Sequence, residues 1–258
     1  MTSPDAITAP GATGTAEPTA PLLRAVDLGR VFSTRAGDVV ACANINLEVY
    51  PGELVVVRGP SGAGKSTLLG MLGGLDTPTS GEVWVEGRQF SSLTEQESVE
   101  LRRGALSFIF QSFGLIPVLT AAENVELPLR ITNAASAERD LRVAEVLAMV
   151  GLSDHAAQLP SELSGGQQQR VGIARALAVP PRILIADEPT AQLDSTSAAL
   201  ILDLISGLVI SQGLAAVVAT HDADLSARAD RVIELHDGRA TVQSPARTGR
   251  HASPVEPN

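Results

Sequence analysis

Short apolar runs separated by polar, glycine-rich punctuation divide this chain into strands and helices. Residues 54–57 (Leu-Val-Val-Val) and 183–186 (Ile-Leu-Ile-Ala) are continuous apolar runs of the length expected for a strand buried on both faces. Residues 214–219, 231–235 and 106–110 read the same way, the last ending at Gln111. Residues 39–50 alternate instead, with Cys42, Asn44, Asn46 and Glu48 against Ala43, Ile45, Leu47 and Val49, which predicts a half-exposed antiparallel strand. With residues 22–32 and 82–85 it would form a small β layer. Helical periodicity takes over elsewhere. Val143, Val146, Leu147 and Val150 fall at i, i+3, i+4 and i+7, with Arg142 and Glu145 on the other side. Residues 66–69, 94–103, 167–178 and 195–210 also read as helix. The order predicts an α/β fold with an antiparallel β subdomain and an α-helical subdomain inserted at about residues 113–163. No internal repeat is visible.

Length and composition narrow this further. The 258 residues, 44% of them hydrophobic, suit one large α/β domain, placed at 22–242. The flanks, 1–21 and 243–258, are rich in small, polar and proline residues and are expected to be disordered tails. The first twenty residues lack the basic start and apolar stretch of a secretory signal. No uninterrupted apolar span reaches the ~18–20 residues a membrane helix needs. The nearest, 198–220, is broken by Asp203, Ser206, Gly207, Ser211, Gln212 and Gly213. One cysteine, Cys42, excludes an intramolecular disulfide and fits a reducing cytoplasm; it is expected as a small buried residue on a strand. A net charge of −10 without a basic cluster argues against nucleic acid as a partner.

Candidate chemistry begins at the only lysine. Lys65 lies in Gly59-Pro60-Ser61-Gly62-Ala63-Gly64-Lys65-Ser66-Thr67, while the other cationic side chains are all arginine. The spacing is that of a phosphate-binding loop between a buried strand and a helix. There the N–H groups of Gly62, Gly64 and Lys65 would converge on phosphate oxygens. A compact ammonium fits this loop where the wide guanidinium fork would not. The expected ligand is a nucleoside triphosphate. The apolar run 183–186 ends in Asp187-Glu188. Asp187 could hold Mg²⁺ through water while Ser66 ligates the ion directly. Glu188, on the other side of an extended chain, could polarise an attacking water. Leu163-Ser164-Gly165-Gly166-Gln167-Gln168-Gln169-Arg170 supplies a serine and two glycines at a helix start, a second anion cradle.

With these motifs in this order, residues 22–240 resemble the ATP-binding-cassette (ABC) ATPases, and the octet at 163–170 is similar to their signature. The resemblance implies a P-loop NTPase (RecA-like) core, with ATP and Mg²⁺ as ligands. It implies adenine stacking on Phe32, where many members carry tyrosine. Gln111 matches the glutamine that senses the metal and γ-phosphate. Ser164, Gly165, Gly166 and Gln167 match the signature, and Leu193-Asp194 the loop that crosses a dimer interface, with Gln192 where asparagine is frequent. His221 matches the histidine that bonds the γ-phosphate. His155, His236 and His251 match no catalytic position and read as surface residues.

One loop and one signature per chain imply a head-to-tail homodimer with two equivalent sites. The resemblance also implies a separate transmembrane permease. The domain would then sit at the cytoplasmic face of the membrane and touch it only through that partner. Apolar Phe113, Leu115, Ile116 and Leu119 beside Glu123 and Glu126 would form the docking surface, with core packing as the competing reading of the same residues. Gly74–Gly81, Arg102-Arg103 and Glu123–Leu129 look like the macrolide-export, lipoprotein-release and antimicrobial-peptide-export branch, so an exporter is expected. An importer cassette and an ATP-gated tether, as in cell division, are the alternatives.

Overall fold

The computed structural model describes residues 20–35 and 37–243. The tails expected at 1–21 and 243–258 lie outside them, apart from Ala20, Pro21 and Gln243. Two sheets organise the domain. The smaller runs β2-β1-β4-β5, all antiparallel, from β1 (Leu23–Thr34), β2 (Gly37–Val49), β4 (Ser80–Val85) and β5 (Arg88–Gln89). The larger runs β10-β9-β3-β8-β7-β6. It is built from β3 (Leu54–Arg58), β6 (Leu106–Ile109), β7 (Ile183–Asp187), β8 (Ala215–Ala219), β9 (Arg231–His236) and β10 (Arg239–Gln243). Five of these strands are parallel, and β10 folds back on β9 through Asp237-Gly238, both at positive φ as a tight hairpin turn requires. Gln243, assigned to a disordered tail from composition, therefore ends a paired strand.

The parallel sheet explains its apolar runs. Leu54, Val56, Leu184, Ala186, Ala216 and Val218 join one core, and Val55, Val57, Ile183, Ile185, Ala215 and Val217 join the other. Both faces are covered, so neither can be polar. One is packed by α3 (Ala121–Ile131), α4 (Ser136–Met149), α5 (Gly165–Ala178) and α6 (Ser195–Gln212), with Leu225 of α7 (Ala223–Arg228) in the same core. The other is packed by α1 (Lys65–Leu72), the β1–β2 sheet and Leu101 and Ala105 of α2 (Glu95–Ala105). All four residues of the helical stripe, Val143, Val146 and Leu147 in α4 and Val150 at its C-cap, are buried as their period requires.

Two expectations need correction. The region 113–163 is not helical throughout: α3 begins only at Ala121, and residues 113–120 form an irregular connection. The alternation in β2 also breaks. Leu28 pairs Ile45 but Arg30 pairs Cys42, so β2 carries one extra residue beside Asn44, whose φ is 52°. The bulge returns Cys42 to the core face with Ile45, Leu47 and Val49, where the strict alternation had placed it among the polar residues.

Candidate functional site

Every parallel strand ends at the same edge of the sheet, and the chemistry collects there. The phosphate loop links β3 to α1. Its last glycine, Gly64, sits at φ 100° as the N-cap of α1 with no side-chain cap, so the first N–H groups of the helix are not spent on a cap within the chain. Only glycine fits: a Cβ there would lie 2.2 Å from the carbonyl oxygen of Ala41. Pro60, Ser61, Gly62 and Ser66 are exposed, Gly59 and Thr67 half-buried and Ala63 buried. Lys65 is only 8% exposed; its Nζ donates to the carbonyls of Gly59 at 2.8 Å and Pro60 at 3.2 Å. Carbonyls of the loop thus take up two of the three donors of the ammonium.

Asp187 closes β7, 7% exposed, and among the described residues no cationic side chain pairs with it. Glu188 leaves the strand at φ 47°, a left-handed conformation rarely adopted outside glycine. Its side-chain direction thus comes from a turn and not from the alternation of an extended strand. That turn brings Glu188 Oε1 to 3.2 Å from His221 Nε2, which also lies 3.4 Å from Lys65 Nζ. One ring nitrogen cannot donate to a carboxylate and accept from an ammonium together, so His221 serves one partner at a time. Lys65, at the start of α1, is thereby joined to Glu188 and His221, which follow β7 and β8.

Other expected site residues lie around this group. Gln111 is exposed, just beyond β6. Phe32 is 38% exposed in β1, and Arg30, held by Asp76 at 2.8 Å, covers its ring with the guanidinium carbon 4.6 Å from the centroid. Ser164 caps α5, its Oγ accepting from Gln167 N–H at 3.3 Å while Gln167 Oε1 accepts from Ser164 N–H at 2.8 Å. Gly165 and Gly166 follow in the first turn, beside Gln192 and Leu193. Asp194 caps α6 through Thr196 and Ser197, and the Ser197 N–H foremost holds its carboxyl below the usual range. Among the described residues, no hydrogen bond joins Ser164 or Asp194 to Lys65, Glu188 or His221.

Three residues escaped the sequence reading. Gln169 is buried in α5 and donates to the carbonyls of Pro189 at 3.2 Å and Phe110 at 3.5 Å, linking the segments next to Glu188 and Gln111. Asn124, fully buried, accepts from Ile116 N–H at 2.8 Å and donates to the carbonyls of Ile116, Leu119 and Thr120. His155 is not a free surface residue but contacts Gln167. A buried position for a polar side chain was the missing signal, and it has no mark in composition or period. The docking acids also read differently. Glu123 is committed to Thr120 and Glu126 to Arg130 and Arg139.

A site of this geometry can bind the phosphates of a nucleotide and present a carboxylate to a water molecule. The sequence model of the ABC transporter family matches residues 42–191. The chain is 45% identical over 217 residues to an uncharacterized ABC transporter ATP-binding protein, MJ1508, of Methanocaldococcus jannaschii, covering 84% of this chain and 96% of that protein. It is 42% identical to the lipoprotein-releasing system ATP-binding protein LolD 2 of Caulobacter vibrioides, across 86% and 98% of the two chains. The macrolide export ATP-binding/permease protein MacB of Burkholderia pseudomallei is 45% identical over 86% of this chain and 34% of its own length. A dimeric structure of the ATP-binding cassette MJ0796, in a post-hydrolysis state bound to ADP and Pi, matches with a TM-score of 0.85 at 40% identity, covering 88% of this chain and all of that one.

Proposed function

The chain belongs to the ABC transporter family as an ATP-hydrolysing cassette, and on that premise we propose that two copies close head to tail over two ATP molecules to drive a membrane permease on a separate chain. In this reading Lys65 and the N–H groups of Gly62, Gly64 and Lys65 hold the β and γ phosphates, and Phe32 carries adenine. Glu188 polarises the attacking water, a role worth ~10²–10⁴-fold in rate. His221 exchanges its present partners for the γ-phosphate. The partner copy's signature, Ser164 to Gln167, covers that phosphate from the other side, and Asp194 lies in the loop at the seam.

Mg²⁺ suits the residues present. Asp187, Ser66 and Gln111 offer one carboxylate, one hydroxyl and one amide oxygen, all hard donors. They are too few to cage an ion alone; among the described residues no group of three His, Cys, Asp or Glu could do so. Such a set fits an ion shared with phosphates. Held by Asp187, Ser66 and Gln111, such an ion would offset the negative charge of the phosphates.

The observation that carries the reading is a division within the chain. Lys65 and Glu188 both lie within 3.4 Å of His221, whereas among the described residues no hydrogen bond joins Ser164 or Gln167 to any of the three. A second copy supplies the missing half. The dimeric MJ0796 cassette and its ADP and Pi support this. LolD 2 and MacB support an exporter, and LolD 2, matched over nearly its full length, supports a permease on another chain. The domain would then be peripheral, at the cytoplasmic face of the membrane. Glu188→Gln protein should bind ATP, hydrolyse it at least a hundredfold more slowly, and accumulate as a dimer in light scattering. A variant that stays monomeric in saturating ATP would refute the paired arrangement.

A further inference from the structure

One backbone group at the start of α5 dictates the orientation of three side chains. Ser164 N–H can only donate, so the Gln167 atom 2.8 Å away is Oε1 and the amide nitrogen faces outward. That nitrogen lies 3.2 Å from His155 Nε2, which must accept. The ring proton therefore sits on Nδ1, 2.7 Å from Gln158 Oε1. Donors and acceptors alternate along Ser164, Gln167, His155 and Gln158 only with a neutral imidazole in this tautomer. The same amide group completes the capping box, in which Ser164 Oγ accepts from Gln167 N–H. The hydroxyl hydrogen is left to donate elsewhere, and the Gly165 and Gly166 N–H groups have no helical partner.

We propose that His155 is a positioning residue for the signature cradle: by accepting from Gln167 it locks the amide that caps α5. It thereby aims the Ser164 hydroxyl and the Gly165 and Gly166 N–H groups at the γ-phosphate on the other copy. This rests on the paired-cassette reading above. His155 comes from the turn Ser153–His155 after α4, so the contact ties the end of the helical insertion to the signature helix. Without it the Gln167 side chain regains its rotamers, and the cap must be re-formed at an entropic cost on every closure.

The test uses the Glu188→Gln background and two measurements: ATP affinity of the protein at concentrations too low to pair, and the ATP-driven dimerisation constant from sedimentation. His155→Ala should weaken dimerisation roughly five- to tenfold, the size of one lost hydrogen bond. It should leave the first measurement unchanged, because the cradle touches only the other copy's nucleotide. His155→Gln, whose amide oxygen reaches the place of Nε2, should dimerise like the parent. His155→Lys, which can only donate, should not. Parental dimerisation in both the Ala and Lys variants overturns the proposal. So does a parallel loss of ATP affinity and melting temperature in all three, the mark of a merely structural residue. A Glu188→Gln parent that never pairs refutes the two-copy reading, and the role of His155 with it, before any His155 variant is compared.

Discussion

Asn44, at φ 52° in β2, inserts the extra residue that turns the Cys42 thiol inward, where it donates to the carbonyl of Gly64 at 3.6 Å. Burial pushes the thiol up to about 11. The sign follows from linkage. An unfolded chain releases this proton near pH 8.5, so the contribution is complete below that pH and is lost as pH rises towards the folded value. Native protein at pH 8 should therefore resist a thiol reagent that labels it fully in urea, and urea stability should decline between pH 9 and 11. Fast native labelling at pH 8 would contradict the buried placement. Residue by residue, the site shows the same dependence on backbone detail: the left-handed turn at Glu188 sets which atom meets His221.

Helix starts are the most explicit elements of the chain. Thr94 with Glu97, Thr120 with Glu123 and Ser164 with Gln167 each close a reciprocal capping box. The connection between β6 and α3 has no such local rule; Arg175 holds its first half by donating to the carbonyls of Phe113 and Gly114, and Asn124 holds the second. From a site with no solvent access, Asn124 Oδ1 accepts from Ile116 N–H and its two amide hydrogens are shared among the carbonyls of Ile116, Leu119 and Thr120. Asn124→Ala should cost about 1–2 kcal/mol, since the Ile116 N–H and the Leu119 carbonyl would lose the partner Asn124 gives them, while the Ile116 and Thr120 carbonyls keep backbone donors. Denaturant midpoints would measure it, and a loss below about 0.5 kcal/mol would mean the segment is held otherwise. The same segment links Gln111 to the helical insertion, so its rigidity matters to the nucleotide side as well.

Across the whole molecule, the apolar residues expected at the docking surface, Phe113, Leu115, Ile116 and Leu119, do not share one fate. Leu115 packs against the core, whereas Ile116 is 40% exposed and Val118, outside that set, is 80% exposed beside it. Val118→Asp should leave the melting temperature and basal ATP hydrolysis of the isolated protein unchanged and abolish stimulation by the permease in membranes. Leu115→Asp should unfold the insertion and lower both. Identical behaviour of the two variants would remove the distinction between knob and core. α6 makes the complementary point. Its 18 residues, with a mean hydropathy of 1.4, match a membrane span by length and composition. Ile201, Leu202, Ile205 and Val209 form one face of that helix and are buried in the domain core.

Spacing and period alone determined the strand and helix order, the phosphate loop at 59–67, the carboxylate pair at 187–188 and the signature at 163–170, because each is local and obeys a backbone or phosphate geometry that a short segment carries within itself. Only the tertiary structure decided the face of Cys42, the aim of Glu188, the arginine lid on Phe32, and the conversion of Asn124, Gln169 and His155 from ordinary polar residues into organisers. His155 and Gln169 depend on partners 12 and 59 positions away, Asn124 on a segment 4 to 8 positions before it, and Cys42 on a single inserted residue. A buried hydrogen bond is specified by two distant segments arriving together, and neither segment records the other in its own pattern.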